Sequence, residues 1–331
     1  MRVNVFIRKR ASNFQNSIER FAKEIKKNSP NKKIDINIVE CPVESKGLIN
    51  RLYLIIWASF LQADINHILG DINYINLLMN KKKTISTYLD CRLLFQFKNL
   101  KKFIYKLFWF SLPIKNSRFI TFISKFTQKE ISKNINTSKV NYKVIPVPLV
   151  SNLSFKINRN LKKKVLIVGT LPHKNVKNML LSTIGLDISI TVVGEINNEI
   201  KEICKKSKIS FKNYVGVTDN KMKNLYKEND ILLMASNYEG FGMPIIEAQA
   251  SGMAVITSKK EPMKSVGGEH TLLVDPQKKS EIKKMLNKII NNDKLFIKLV
   301  KKGLINTYKY KSSIIVKKYY ELYLKIFKLN N

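Results

Sequence analysis

Residues 237–252, NYEGFGMPIIEAQASG, constrain the fold more than any other stretch of the chain. They lie between two short apolar runs, ILLMA at 231–235 and MAVIT at 253–257, each of a length that suits a buried strand. Gly240, Gly242 and Pro244 open the segment as a loop, and a helix then runs from about Pro244 to a stop at Gly252. Proline fits a first helical position because it has no N–H to leave unpaired, and glycine fits a left-handed cap. The result is strand, loop, helix, strand, the unit of a parallel α/β sheet. Its helix begins where the glycines end, so orphan amide groups and the positive end of the helix dipole sit beyond a strand tip. Open α/β sheets bind phosphates and other anions there.

Two carboxylates frame the loop: Glu239 lies within it and Glu247 about one turn into the helix. A carboxylate near a helix N-terminus is a natural partner of the dipole. A pair of carboxylates beside glycines also suits the vicinal hydroxyls of a sugar or ribose, which donate to bidentate acceptors. For Glu247 taken alone both readings stand. EGFGMPIIE, from Glu239 to Glu247, resembles the E-x7-E motif of retaining nucleotide-sugar glycosyltransferases with the GT-B fold, the family 4 type (glycosyl transferases group 1). The continuation AQASGMAVITS, and Gly267-Gly268 leading to LLVDP at 272–276, are similar to the same family. The resemblance implies that the first Glu contacts the donor sugar, that the loop amides meet sugar and diphosphate, and that the second Glu binds the ribose hydroxyls. On this chain those donor-binding positions are Glu239, Gly240, Phe241, Gly242, Met243, Pro244 and Glu247.

The resemblance implies an α/β architecture of two Rossmann-like domains with parallel sheets facing across a cleft. We expect an acceptor-binding domain over 1–150, a nucleotide-sugar-binding domain over 151–308, and a terminal helix over 309–331 that crosses back to the first domain. Strands are expected at 3–8, 34–39, 64–69 and 84–88, with a helix at 16–27 whose Ile18, Phe21, Ala22 and Ile25 keep helical spacing. The 9–15 loop lacks the glycines common in the family, and the polar, irregular 149–162 stretch is the expected linker. Where relatives often show His-Asp after the last of those strands, this chain has Leu89-Asp90. Asp90 is expected either to orient the acceptor as a catalytic residue or to cap a turn. His67, alone at a strand end, reads more simply as structural. In the second domain the strand KVLIVGT at 164–170 ends in Gly169 and Thr170 and is followed by LPHKN. Lys174, near the start of a helix, fits a diphosphate contact. Thr170 stands where many relatives have Arg, so Lys174 would carry most of the neutralising charge and counts, with Glu239, as catalytic. Thr218 or Asp219 caps a helix running toward Glu228, and 308–329 reads as one long helix. No Asp-x-Asp pair lies near a strand tip, which argues against a metal-dependent GT-A enzyme; neither metal nor cofactor is expected beyond the donor.

The chain carries 60 basic and 24 acidic residues, a net charge of +36. Such an excess attracts polyanions or an anionic membrane; compositional drift in an AT-rich genome is the competing account. Residues 98–111 place Leu100, Phe103, Ile104, Leu107 and Phe108 on one helical stripe, with Lys98, Lys101, Lys102 and Lys106 opposite. At about 100° per residue, Tyr105 and Trp109 fall among the lysines, which suits either docking on anionic lipid or a solvated face whose two rings are covered by neighbours. Three distant cysteines suit a reducing compartment. The N-terminus shows no secretory pattern, and the longest apolar run, 52–61, is too short to span a bilayer. A cytoplasmic protein, peripheral on the inner face of the cytoplasmic membrane, is the expectation.

The expected reaction is transfer of a sugar from a nucleotide-diphosphate sugar to a glycan or lipid-linked acceptor, with retention of configuration, in bacterial surface polysaccharide or lipopolysaccharide assembly. Leu89 and Thr170 motivate a second reading, a non-catalytic nucleotide-sugar or membrane-surface binding protein. A nucleic-acid binder rests on charge alone, without a motif, so no specific nucleic acid is expected.

Overall fold

In a computed structural model the residues described are 1–9, 17–30, 34–149, 153, 155 and 163–330. Most of the 9–15 loop and of the 149–162 linker lies outside them. The chain divides into two compact units, Met1–Val150 with Lys311–Asn331, and Ser151–Tyr310.

The first unit is built on β1 (Arg2–Ile7), β2 (Asp35–Glu40), β3 (Ile65–Leu69), β4 (Thr84–Tyr88), β5 (Phe119–Phe122) and β6 (Asn141–Val144), in the order β2-β1-β3-β4-β5-β6. The second is built on β7 (Lys164–Val168), β8 (Ser189–Val193), β9 (Lys212–Tyr214), β10 (Ile231–Met234), β11 (Ala254–Ser258) and β12 (Leu272–Val274), in the order β12-β11-β10-β7-β8-β9. Every pairing is parallel. Both sheets are therefore of the doubly wound α/β kind, and their central strands show it in composition. β3, β4, β10 and β11 are buried along their whole length, because helices cover both faces of a parallel sheet and leave no polar alternation.

Burial of β3 and β4 takes in polar groups, and these find one another. His67 accepts or donates at both ring nitrogens, Nδ1 to the Tyr323 hydroxyl at 2.7 Å and Nε2 to Thr87 Oγ1 at 2.6 Å, while Tyr319 stacks on its ring at 5.2 Å. Burial lowers its pKa to about 3, so the imidazole is a neutral part of the core. Tyr319 and Tyr323 come from the last helix, Ser312–Lys328, which packs against the Ser17–Lys27 helix and β3. That helix does not start at Tyr308 as the periodicity suggests. Tyr308–Tyr310 form a 3-10 turn, and the helix begins after Lys311 in extended backbone. The Ser312 hydroxyl there reaches the Glu24 carboxylate and the Leu149 carbonyl.

The 98–111 stretch follows the second of its two readings, in which neighbours cover the two rings. The α-helix covers only Asn99–Lys106 and passes into a π-helical turn at Leu107–Ser111, which shifts the phase of everything after it. Tyr105 and Trp109 turn inward. Trp109 lies 4.9 Å from the Tyr74 ring and 5.0 Å from the Tyr105 ring, and its Nε1 donates to the Asp71 carbonyl at 2.8 Å. Tyr105 packs edge-on against buried Phe110 at 5.7 Å. Of the apolar stripe, Leu100, Phe103, Ile104 and Phe108 are exposed. The two rings offer large areas to bury, and the Trp109 indole N–H finds a partner there, so they take the interior.

Candidate functional site

The order of the second sheet has one reversal. From β7 the chain winds outward through β8 to β9, then returns to the other side of β7 to lay down β10, β11 and β12. β7 and β10 are neighbours at that switch point, the place where loops leave in opposite directions and a crevice opens at the strand tips. The two loops singled out in the sequence leave from these two strands.

After β7, Gly169 takes φ +86°, where a side chain would be strained and its Cβ would meet Lys174 Cε at 3.1 Å. The glycine thus lets the Lys174 stem lie back across the strand tip. Pro172–Lys174 form a single 3-10 turn, and Asn175 follows in a left-handed conformation, φ 61°, before the Val176–Leu181 helix. After β10 the loop runs to Gly242, φ +102°, which caps the Met243–Ala250 helix with Pro244 in its first turn. The N-terminal amides of this helix are left without intrahelical acceptors by geometry, and they lie at the end of the switch-point loop.

The two loops are tied by specific bonds. The Asn237 N–H donates to the His173 carbonyl at 2.7 Å. Asn175 Nδ2 donates to the Ala235 carbonyl at 3.0 Å and to the Pro276 carbonyl at 2.7 Å, so it holds the ends of β7, β10 and β12 together. Gln277 Nε2 donates to Asn237 Oδ1 at 2.6 Å, and the Ser258 hydroxyl to the Ser236 carbonyl at 2.6 Å. Within this frame Lys174 Nζ donates to Glu239 Oε1 at 2.7 Å, both side chains being largely buried. A cation and a carboxylate so placed neutralise each other at the strand tips. The ammonium could serve an anion and the carboxylate could accept from hydroxyl donors.

Glu247 is buried on the Met243–Ala250 helix, and its Oε2 accepts from the Tyr226 hydroxyl at 2.7 Å. Tyr226 sits on the Asp219–Glu228 helix, which Thr218 caps by accepting from the Lys221 N–H at 3.2 Å. This leaves one edge of the Glu247 carboxylate oriented by a fixed donor. Phe241 turns its ring into the core against Tyr310, 5.6 Å away edge-on, so it anchors the loop from behind. At the rim, the Gln277 N–H on Asp275 holds that carboxyl below its ordinary range, and Lys259 at 3.4 Å adds to it.

Of the residues expected from sequence, Gly169, Thr170, Lys174, Gly240, Phe241, Gly242, Met243, Pro244, Glu239 and Glu247 all belong to the second unit, around this switch point or on the helix leaving it. Asp90 belongs to the first unit, just past β4, where its Oδ1 accepts the Arg92 N–H at 3.0 Å. That bond is of the kind a turn cap makes, one of its two expected roles. Sequence reasoning missed Asn175, Tyr226 and Gln277. Asn175 had a signal, since Asn before a helix tolerates the left-handed region; Tyr226 had none, because its partner is on another helix. Among the described residues no cluster of three or more His, Cys, Asp or Glu is placed to hold a metal ion, and no helix is long and apolar enough to cross a membrane.

Residues 151–304 match the family described as "Glycosyl transferases group 1". Over 115 residues the chain is 29% identical to the mannosylfructose-phosphate synthase of Agrobacterium fabrum, a stretch covering 34% of this chain and 25% of that protein. The curated relatives it matches are covered over 25% to 56% of their own lengths. In structure it is similar to the Anabaena protein HepE, solved in complex with UDP and glucose, with TM-score 0.76, 12% identity, and coverage of 98% of this chain and 100% of that one. It is also similar to WaaG, a glycosyltransferase involved in lipopolysaccharide biosynthesis, with TM-score 0.76, 13% identity, and coverage of 97% and 99%. At such identity the likeness is one of fold, and that fold is GT-B.

Proposed function

We propose that this chain, a GT-B protein whose residues 151–304 carry the group 1 glycosyl transferase match, moves a sugar from a nucleotide-diphosphate sugar to a glycan or lipid-linked acceptor with retention of configuration. The observation that carries the proposal is the Lys174–Glu239 pair, held at the β7/β10 switch point beside the N-terminus of the Met243–Ala250 helix. Such a reaction develops negative charge on a departing diphosphate and positive charge on the sugar ring. Lys174 and the helix amides meet the first, without a metal ion. Glu239, freed from Lys174, holds the sugar hydroxyls, and Glu247, aligned by Tyr226, holds the ribose.

In the proposed step the bond from the sugar C1 to the diphosphate oxygen breaks and a bond from C1 to the acceptor oxygen forms on the same face. The acceptor's proton passes to the leaving phosphate oxygen. No protein base is required, which removes the difficulty of Leu89 standing where relatives have His. HepE, solved with UDP and glucose, supports by its fold a sugar-nucleotide donor, and WaaG, involved in lipopolysaccharide biosynthesis, supports work in bacterial surface-glycan assembly.

The test is release of nucleoside diphosphate from a panel of UDP-, GDP-, ADP- and TDP-sugars, with the product anomer read by proton NMR and chelator present in one arm. Release from one donor class, insensitive to chelator and giving the donor's own anomer, is expected. Selective binding with no turnover on any acceptor would assign the chain to the non-catalytic reading that Thr170 and Leu89 suggest.

A further inference from the structure

The Leu48–Phe60 helix in the first unit contains one charged residue, Arg51, and that guanidinium lies 4.8 Å over the Trp109 ring. Leu54 and Ala58 are its buried positions. The opposite side is also apolar: Leu48, Leu52, Ile56 and Phe60 form an i, i+4 row with Ile49 and Tyr53 beside it, and all are exposed, Ile49 and Phe60 at 82%. A helix that is apolar all round belongs in a core or against lipid. Its neighbour adds to the face. Trp57 and Trp109 pack on the same core cluster, and Trp109 leads back through the π-turn to the Asn99–Lys106 helix, where Leu100 and Phe103 are 69% and 61% exposed. Among the described residues nothing covers this surface, which exceeds the scattered exposure ordinary in a soluble domain.

The charge around it selects the partner. Residues 46–62 and 92–118 contain no Asp or Glu, while the second stretch alone carries Arg92, Lys98, Lys101, Lys102, Lys106, Lys115 and Arg118. A second copy of the chain would bring the same positive field against itself. A nucleic acid would satisfy the lysines but offer nothing to Ile49 or Phe60. An anionic bilayer supplies both partners at once, acyl carbon for the aliphatic row and headgroup phosphates for the lysines at its edge.

We propose that the exposed faces of the Leu48–Phe60 and Asn99–Lys106 helices together dock this protein on an anionic lipid surface, the aliphatic row entering the headgroup boundary and the lysines lying above it. Tyr105 and Trp109 act from beneath, as the packing that fixes one helix against the other. The docking goes beyond the glycosyl-transfer reading and stands without it, since none of its residues belongs to the second unit.

Cosedimentation with vesicles of phosphatidylcholine containing phosphatidylglycerol, and with phosphatidylcholine alone, tests it. The native chain should bind the anionic vesicles at least tenfold more tightly than the neutral ones. Ile49→Ser with Phe60→Ser, at positions too exposed to matter for folding, should lower that affinity about tenfold at any salt. Lys98→Gln with Lys101→Gln should lower it only at low ionic strength. Unchanged thermal midpoints would confirm that both variants fold. Equal binding by the native chain and the Ser variant, or no binding by either, would overturn the proposal. So would a dimer in sedimentation velocity that the Ser variant dissociates, which would assign the face to a second copy.

Discussion

The two sheets have the same strand count and the same logic of winding, yet they place very different groups at their switch points. In the second unit the tips of β7 and β10 carry Lys174 and Glu239, 2.7 Å apart with side-chain exposures of 16% and 10%. In the first unit the corresponding neighbours are β1 and β3, whose tips lead to Arg8 and Asp71, 3.3 Å apart with Asp71 58% exposed; the buried Glu19 carboxylate stands farther from Arg8, at 3.6 Å. A pair near solvent is worth little and needs no further explanation. A largely buried pair pays a desolvation cost that neighbouring packing could avoid. Retained at a strand tip beside a glycine-capped helix, it points to a charged ligand. The first unit shows its special chemistry on its outer helices instead, in an apolar surface ringed by lysine.

The comparison breaks most readily at the two pairs themselves. Glu239→Ala should reduce turnover at least a hundredfold, in the range found for removing one electrostatic contact to a transition state, with circular dichroism unchanged. Asp71→Asn, the matching lesion in the first unit, should leave turnover within about twofold of the native protein. Equal losses in the two variants would mean that the switch points do not differ as described. Next in size, Glu247→Ala should weaken nucleoside diphosphate binding by about ten- to a hundredfold, the range for a charged hydrogen-bond partner, as read by calorimetry.

The polar core of the first unit gives a pH effect of its own. His67 is held to about 3 by burial, whereas an unfolded histidine takes up a proton near 6.5. Between those values the unfolded chain binds the extra proton, so stability falls as pH drops, by at most about 1.4 kcal/mol per unit for this group. Above about 6.5 the group adds no slope. The stability lost in His67→Gln, measured by urea unfolding, should therefore be larger at pH 7 than at pH 5. A difference that does not change with pH would mean that the imidazole takes up its proton in the core as readily as in the unfolded chain. Smallest is Tyr226→Phe, which removes one hydrogen bond from Glu247 and should raise the dissociation constant about fivefold. A residue that merely packed would show no such change when its ring is kept.

Much of this contrast can be read from sequence, for local reasons. The 237–252 segment declares its loop through glycines and its helix through Pro244, and both features act within a few residues of where they stand. The cap at Thr218 is equally local. Lys174 was legible because it lies between a β-type apolar run and a helix start. What sequence hid depends on distant packing. The Tyr226 to Glu247 bond joins two helices, and nothing near either residue announces the other. The 98–111 stripe did not tell which side of its helix is covered, because that is decided by the distant Tyr74 and Phe110 rings that pack on Trp109 and Tyr105. The 52–61 run was visible as apolar, but its exposure is set by which face the rest of the unit covers.

The most direct test of the central claim, that the β7/β10 switch point holds a nucleoside diphosphate sugar, is a thermal-shift screen of the native chain and Glu247→Ala against UDP-, GDP-, ADP-, CMP- and TDP-sugars with the free nucleotides. Ligand that binds only the folded state raises the midpoint by mass action. The account predicts a rise with one nucleotide class that is lost in Glu247→Ala. No rise with any of them, or an equal rise in both proteins, would contradict it.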